Sequence, residues 1–138
     1  MSKELEEGNQ LQLDYNKLEK AVSSSPGIIP VAVQDADTQE VVLVAYVNEL
    51  AFRKSLEVGE AVFWSTSRNE LWHKGMESGN SFELVDVRVN CEQNSVLYVV
   101  RPKGGGMCHT KNQDGKSRKG CYYRRLNRET GQLENTEP

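Results

Sequence analysis

The apolar residues of this 138-residue chain fall in short runs, and the longest is the seven-residue run from Val41 to Val47. The runs are rich in Val and Ile, which is typical of strands, and turn-forming residues separate them. A helix that crosses a bilayer needs about 20 apolar residues, so no membrane partner is expected. The sequence therefore predicts a β-rich fold, all-β or α+β, in which residues 1–138 form a single domain.

Two small sheets are expected. A hairpin is predicted over 28–34 and 40–47, and its second strand is expected to be covered on both faces because nearly every residue in it is apolar. The other predicted strands are 61–67, 71–74, 81–91 and 95–100. The apolar phase changes between Leu84 and Val85, which predicts a β-bulge. Beyond that bulge Cys91 falls on the apolar face.

Two short helices are expected beside the sheets. Asp14 can cap a helix over 15–22, and Asn48 can cap a second helix over 49–58 that Gly59 ends. The two ends, 1–12 and 127–138, show no pattern and are expected to be loose, which leaves a core of about 14–126. The first residues lack the apolar stretch of a signal peptide, so a cytoplasmic location is expected.

Charge is unevenly distributed along the chain. Residues 1–100 carry eight Lys and Arg against 16 Asp and Glu, whereas residues 101–128 carry nine against one. A basic segment on an acidic body indicates an anion-binding patch, and a solvated basic loop is the alternative. Nucleic acid is not an expected partner, because the net charge is −3 and no CxxC pair is present.

The chain has three cysteines, Cys91, Cys108 and Cys121. Thiolates suit Zn²⁺, and three thiolates with a water would make a catalytic site, although the wide spacing does not by itself indicate a metal. For Cys91 a buried core thiol is the alternative. Cys108 and Cys121 lie in basic, Gly-rich surroundings that lower a thiol pKa. His109 is suited to proton transfer, or is an exposed loop histidine.

A second group of residues offers hydroxyls, cationic side chains and Gly-rich backbone, which are the groups that hold phosphate. Its candidates are Ser65, Ser67, Arg68, Lys74, Ser78, Gly79 and Asn80. Trp64 either stacks on a base or fills the core.

Together these segments resemble the phosphoribosyl-AMP cyclohydrolase family of histidine biosynthesis. The similarity spans about residues 28–125, which is most of the chain. The matching motifs are Ile29-Pro30-Val31-Ala32-Val33-Gln34-Asp35, Val44-Ala45-Tyr46-Val47-Asn48-Glu49, Phe63-Trp64-Ser65-Thr66-Ser67-Arg68, Leu71-Trp72-His73-Lys74-Gly75, Ser78-Gly79-Asn80, Cys108-His109-Thr110 and Cys121-Tyr122-Tyr123-Arg124.

The resemblance implies a zinc hydrolase that opens the purine ring of phosphoribosyl-AMP at the N1–C6 bond. Cys91, Cys108 and Cys121 would be the zinc ligands. The family is a strand-exchanged homodimer, so Cys91 would meet Cys108 and Cys121 of the partner chain. His109 would move a proton as the intermediate collapses, and the phosphate-binding candidates with Trp64 would hold the nucleotide.

The chain departs from the family pattern around its first cysteine. The family usually has three carboxylates there, which bind Mg²⁺, whereas this chain has Asn90, Glu92 and Asn94. The loop 111–120 is also longer than usual. These changes leave open whether Mg²⁺ is a cofactor. They also leave two alternative functions, a diverged zinc hydrolase that acts on another purine nucleotide and a non-catalytic, zinc-bound nucleotide-binding dimer.

Overall fold

A computed structural model describes residues 3–75, 81–104 and 108–138. Its elements are α1 (Lys3–Glu7), α2 (Lys17–Ser24), β1 (Ile29–Asp35), β2 (Val41–Val47), α3 (Glu49–Val58), β3 (Val62–Ser65), β4 (Glu70–His73), β5 (Phe82–Val89), β6 (Val96–Pro102), β7 (Arg124–Leu126) and β8 (Leu133–Asn135). Within these ranges, no helix is long and apolar enough to cross a membrane.

The largest sheet has four strands in the order β2-β1-β6-β5. β1 and β6 run parallel, and the two outer pairs are antiparallel. Two hairpins, β3–β4 and β7–β8, form separate two-stranded sheets. The β-rich class is therefore confirmed, and the described residues contain one more small sheet and one more helix than the sequence predicts. Strand exchange between two copies stays a prediction.

The core lies between one face of the four-stranded sheet, the β3–β4 hairpin and α3. Phe63 and Tyr98 are fully buried there, with ring centroids 6.0 Å apart. Ser55 on α3 joins the helix to β3, because its Oγ donates to the Val62 carbonyl and accepts from the Val62 amide, both at 2.9 Å. These contacts fix the hairpin that carries several of the site candidates.

The predicted ends of α3 are confirmed. The Asn48 side chain accepts from the Ala51 amide at 2.9 Å, and Gly59 closes the helix with φ 71°. α2 begins later than expected, with Asn16 as its first flanking residue. Asp14 instead accepts from the Asn16 amide at 3.1 Å, so it caps the turn before the helix.

The expectation for β2 is wrong in the single chain. β2 is an edge strand, and its residues Val41 and Val44 are 52% and 50% exposed. The bulge in β5 is confirmed, because its pairing with β6 shifts between Leu84 and Asp86 and leaves Val85 unmatched. An apolar run alone does not show whether both faces of the strand are covered by the same chain.

The two ends also differ from the loose segments that the sequence indicates. α1 and the β7–β8 hairpin are regular, and the two ends contact each other. The Leu133 amide donates to the Asn9 carbonyl at 2.7 Å, and Gln10 pairs with Gln132. Contacts between segments this far apart in sequence are not visible in any local pattern.

Candidate active site

Cys121 is held against β2 at Val42, which a register shift in the β1–β2 pairing leaves unmatched. The Cys121 amide donates to the Val42 carbonyl at 2.7 Å. Gly120 eases this approach, because a Cβ there would lie tightly against β2, 3.0 Å from the Val42 carbonyl oxygen and 3.1 Å from its Cα. The edge position of β2 therefore leaves a carbonyl available to fix the third cysteine.

Cys108 is fixed by a short ladder within its own segment. The Cys108 amide donates to the Arg118 carbonyl at 2.9 Å, and the Arg118 amide donates to the Thr110 carbonyl at 3.0 Å. Lys111 and Ser117 continue the pairing. The long loop of 111–120 is therefore an ordered hairpin that brings Cys108 and Cys121 together.

The thiols of Cys108 and Cys121 interact directly. The pKa of Cys108 is lowered to about 5, chiefly by a hydrogen bond with Cys121, and the Thr110 hydroxyl, 3.0 Å from the Cys108 sulfur, acts in the same direction. The same interaction raises the pKa of Cys121. The pair therefore holds one thiolate readily, which is the form that binds metals.

Cys91 is not part of this pair. It lies exposed in the turn that follows β5, rather than on an apolar strand face as the sequence predicts. Within 3–75, 81–104 and 108–138, no group of three Cys, His, Asp or Glu side chains could hold a metal ion. One chain thus offers two soft donors together, which fit Zn²⁺ once a third donor is supplied from elsewhere.

Lys74 lies close enough to both thiols to interact with them. Burial lowers the pKa of Lys74, while Cys121 and Cys108 raise it. Its ammonium nitrogen is 5.6 Å from the centroid of the Trp72 ring and 5.7 Å from that of Phe82. A cation beside the thiol pair favours the thiolate form and attracts an anionic ligand.

Three of the other phosphate-binding candidates, Ser65, Ser67 and Arg68, lie at the far end of the β3–β4 hairpin. The Ser65 hydroxyl is 3.3 Å from the Ser67 hydroxyl and accepts from the Arg68 amide at 3.3 Å. Ser65 lies opposite Glu70 at the turn end of the β3–β4 pairing. Lys74 comes four residues after Glu70, just beyond the end of β4, so Ser65 and Lys74 are separated by about 13 Å at the usual strand rise. The single chain therefore does not gather these candidates into one cluster.

The remaining nucleotide-binding candidates are Trp64 and the segment from Ser78 to Asn80. Trp64 is half-buried, packs against the core and donates to the Asn69 side chain at 3.3 Å. Ser78, Gly79 and Asn80 lie outside the described residues.

At the positions where the family has magnesium ligands, the asparagine side-chain oxygens of this chain already accept hydrogen bonds. The Asn90 side-chain oxygen accepts from the amides of Asn94 and Ser95 at 3.0 and 2.9 Å. The Asn90 side-chain nitrogen donates to the Asn94 oxygen at 2.7 Å. Only the exposed carboxylate of Glu92 remains, so these residues do not fit Mg²⁺, which prefers several oxygen ligands in octahedral geometry.

Part of the basic segment is structural. Arg118 is 2% exposed and forms a bidentate ion pair with Glu7 at 2.6 and 2.8 Å. Lys119 pairs with Glu40 at 3.2 Å. Lys111 and Lys116 are exposed. The segment is thus neither a uniform anion-binding patch nor a solvated loop.

Two acidic residues that contact the histidines are not indicated by any sequence pattern. Glu60 contacts Lys103, the His73 ring at 2.7 Å and the Ser81 hydroxyl at 3.4 Å, and the bonds with Lys103 and His73 lower its pKa. Glu6 contacts the His109 ring at 2.6 Å. Both contacts depend on the tertiary fold, so no spacing in the sequence could indicate them.

Comparison with known proteins places these features in a family. A family model described as phosphoribosyl-AMP cyclohydrolase matches residues 43–123. The phosphoribosyl-AMP cyclohydrolase of Nitrosomonas europaea is 38% identical over 115 residues, 83% of each chain. That of Archaeoglobus fulgidus is 45% identical over 100 residues, 72% of this chain and 86% of the relative. That of Nitrosospira multiformis is 40% identical over 121 residues, 88% and 87% of the two chains. The chain therefore belongs to the phosphoribosyl-AMP cyclohydrolase family.

Proposed function

We propose that this chain hydrolyses the N1–C6 bond of phosphoribosyl-AMP, the ring-opening step in histidine biosynthesis. The observation that carries the proposal is the contact between Cys108 and Cys121, with His109 adjacent in the chain and Lys74 nearby. The relatives' names supply the reaction, and this group of side chains supplies metal ligands, a proton-transfer group and a cation for it.

We further propose a zinc site with Cys108 and Cys121 from one chain and Cys91 from a second copy. Two thiols in contact make half of a tetrahedral site, and the exposed Cys91 is placed to reach another molecule. Zinc held by these three thiolates would lower the pKa of a water and so supply hydroxide for C6. His109 would donate the proton that N1 gains as the N1–C6 bond breaks.

The second copy is expected on the outer face of the four-stranded sheet. This open sheet face, defined as Ala32, Val44, Tyr46, Leu97 and Val99, faces away from the core, and Val44 is 50% exposed. A shallow cavity runs from Ala32 and Leu97 to Asn90, next to Cys91. Apolar contact between two copies along this surface would carry Cys91 to the partner's thiol pair.

Nucleotide binding is divided in the same way. Lys74 lies beside the thiol pair, whereas the turn of Ser65, Ser67 and Arg68 is at the other end of its hairpin. In a dimer the turn of one chain can serve the site of the other. The roles of Ser78, Gly79 and Asn80, and the cytoplasmic location, stay predictions.

The direct test is turnover of phosphoribosyl-AMP by the purified chain, followed by the change in ultraviolet absorbance on ring opening. We expect turnover in the native protein and none in Cys108→Ser, with AMP as an inert control substrate. Growth of a histidine auxotroph that lacks this activity provides a second readout. Turnover of a different purine nucleotide instead of phosphoribosyl-AMP would favour the diverged hydrolase, and binding without turnover would favour the non-catalytic dimer.

A further inference from the structure

Helix α1 places a carboxylate on the histidine beside Cys108. The Glu6 carboxylate oxygen lies 2.6 Å from His109 Nε2, although the two residues are 103 positions apart. The Glu6 side chain is 23% exposed and the His109 side chain 63% exposed. The contact therefore restrains one ring nitrogen and leaves most of the ring open to solvent.

This contact belongs to a wider attachment of the N-terminal segment. The Tyr123 hydroxyl donates to the Glu6 carbonyl at 2.7 Å, and Arg124 donates to the Gly8 carbonyl at 3.0 Å. Glu7, the next residue, forms the bidentate pair with buried Arg118. Since the Glu6 carbonyl and the two residues that follow Glu6 are fixed, the fold directs its carboxylate at His109.

The chemistry of the contact decides which form of the ring is present. An ionised carboxylate only accepts hydrogen bonds, so His109 Nε2 must donate to Glu6. In the neutral ring the proton is then on Nε2 and the lone pair is on Nδ1. A carboxylate in this position also stabilises the ring orientation, as the acidic partner of a catalytic histidine does elsewhere.

We propose that Glu6 is a positioning residue for His109 in the hydrolysis proposed above, and that α1 is therefore part of the active site. Glu6 holds the ring with Nδ1 directed away from α1 and available for proton transfer. The expected effect on turnover rests on the proposed function, whereas the tautomer and orientation of His109 do not depend on it.

The kinetic test compares Glu6→Ala with Glu4→Ala, which removes the same charge from the exposed side of the same helix. We expect Glu6→Ala to lower kcat about 10- to 100-fold with little change in KM, because orientation accounts for part of the 10²–10⁴-fold gain from acid–base catalysis. Glu6→Gln keeps an acceptor and should fall between Glu6→Ala and the native chain. Glu4→Ala should match the native chain.

A double variant separates positioning from general destabilisation. In a His109→Ala background, Glu6→Ala should cause no further loss of kcat, because the two residues act as a unit. A further loss of the same size as in the native background would overturn the proposal. An increase in kcat in Glu6→Ala would also overturn it, since the contact would then be inhibitory.

The second readout does not require turnover. The chain has two histidines, so ¹⁵N spectra of the imidazole nitrogens can be assigned with His73→Gln as a reference. We expect the Nε2–H form to predominate at His109 in the native chain at pH 8, and a shift toward a mixture in Glu6→Ala. An unchanged tautomer ratio would overturn the proposal. A native chain that shows the expected spectra but no turnover would contradict the proposed function alone.

Discussion

Glu7 and Arg118 form a bidentate ion pair with N–O distances of 2.6 and 2.8 Å, joining residues 111 positions apart. The Arg118 guanidinium also lies 4.2 Å from the centroid of the Tyr123 ring and donates to the Glu137 carbonyl at 2.8 Å. One buried cation therefore connects α1, the 111–120 hairpin and the C-terminal end. The hairpin between Cys108 and Cys121 is therefore attached to both ends of the chain.

Glu7→Gln should destabilise the fold by about 2–3 kcal/mol at pH 7, since it leaves a buried guanidinium without its counter-charge. Urea denaturation of the variant and of Glu4→Gln measures this, and Glu4→Gln should stay within about 0.5 kcal/mol of the native chain. Equal stability of Glu7→Gln and Glu4→Gln would contradict the structural role of the pair.

The same pair predicts a pH dependence. Hydrogen bonding to Arg118 holds the pKa of Glu7 below its ordinary value of 4.5. Because the folded pKa is the lower one, the contribution is fully present above pH 4.5 and is lost as the pH falls through the folded value. The stability difference between the native chain and Glu7→Gln should therefore be constant from pH 6 to 7 and shrink below about pH 4.5. A difference that grows on acidification would contradict this assignment.

The closed turn at Asn90 and Asn94 predicts weak magnesium binding. Calorimetric titration of the native chain should show no saturable Mg²⁺ binding, because both amide oxygens already accept hydrogen bonds. Asn90→Asp with Asn94→Asp should gain binding, since two carboxylates join that of Glu92. Adding Glu92→Gln to this double variant is the matched control and should weaken the new site. Tight Mg²⁺ binding by the native chain that Asn90→Ala removes would contradict this account.

His109→Ala should lower kcat by about 10²–10⁴-fold while the zinc content stays unchanged. The reason is that the ring bonds to Glu6 rather than to the thiol pair, so it is expected to act on protons and not on the metal. Metal analysis of the purified variant distinguishes the two roles. Loss of zinc would make His109 a ligand, and full activity would make it a bystander.

Val44→Asp should weaken the proposed dimer, because it places an unpaired charge on the open sheet face. Leu56→Asp on α3 is the matched control, since Leu56 is 54% exposed and Val44 50% exposed. Light scattering should give a dimer for the native chain and Leu56→Asp, and a monomer without zinc for Val44→Asp. A zinc-loaded dimer in Val44→Asp would place the interface elsewhere.

The features that the sequence predicts correctly have local causes. The caps of α3 at Asn48 and Gly59 depend on residues within one helical turn, and the bulge at Val85 follows from the phase of its own strand. The prediction that β2 is central is wrong. An apolar run does not distinguish a strand face that its own chain covers from a face that a second copy would cover. The proposed dimer would account for that run.

The candidate site was predicted less completely because its contacts are long-range. The sequence indicates Cys108 and Cys121 by residue type, but the contact between them depends on the 111–120 hairpin and on the Val42 carbonyl. Arg118 falls in the basic segment for which the sequence predicts an anion-binding patch or a solvated loop, whereas it is buried against Glu7. No feature of the sequence marks Glu6 as a site residue, because α1 lies in a segment with no periodic pattern.

The central claim, that each zinc site takes Cys91 from one chain and Cys108 and Cys121 from another, is tested by mixing two inactive variants. Cys91→Ser and Cys121→Ser, carrying different tags, should each lack zinc and turnover when purified alone. After co-expression and random pairing, each mixed dimer has one intact site with all three cysteines. Its other site lacks both Cys91 and Cys121. The mixture should then recover about one quarter of native zinc and activity, as a two-fold symmetric site requires. No recovery in a verified mixed dimer would contradict a site shared between chains.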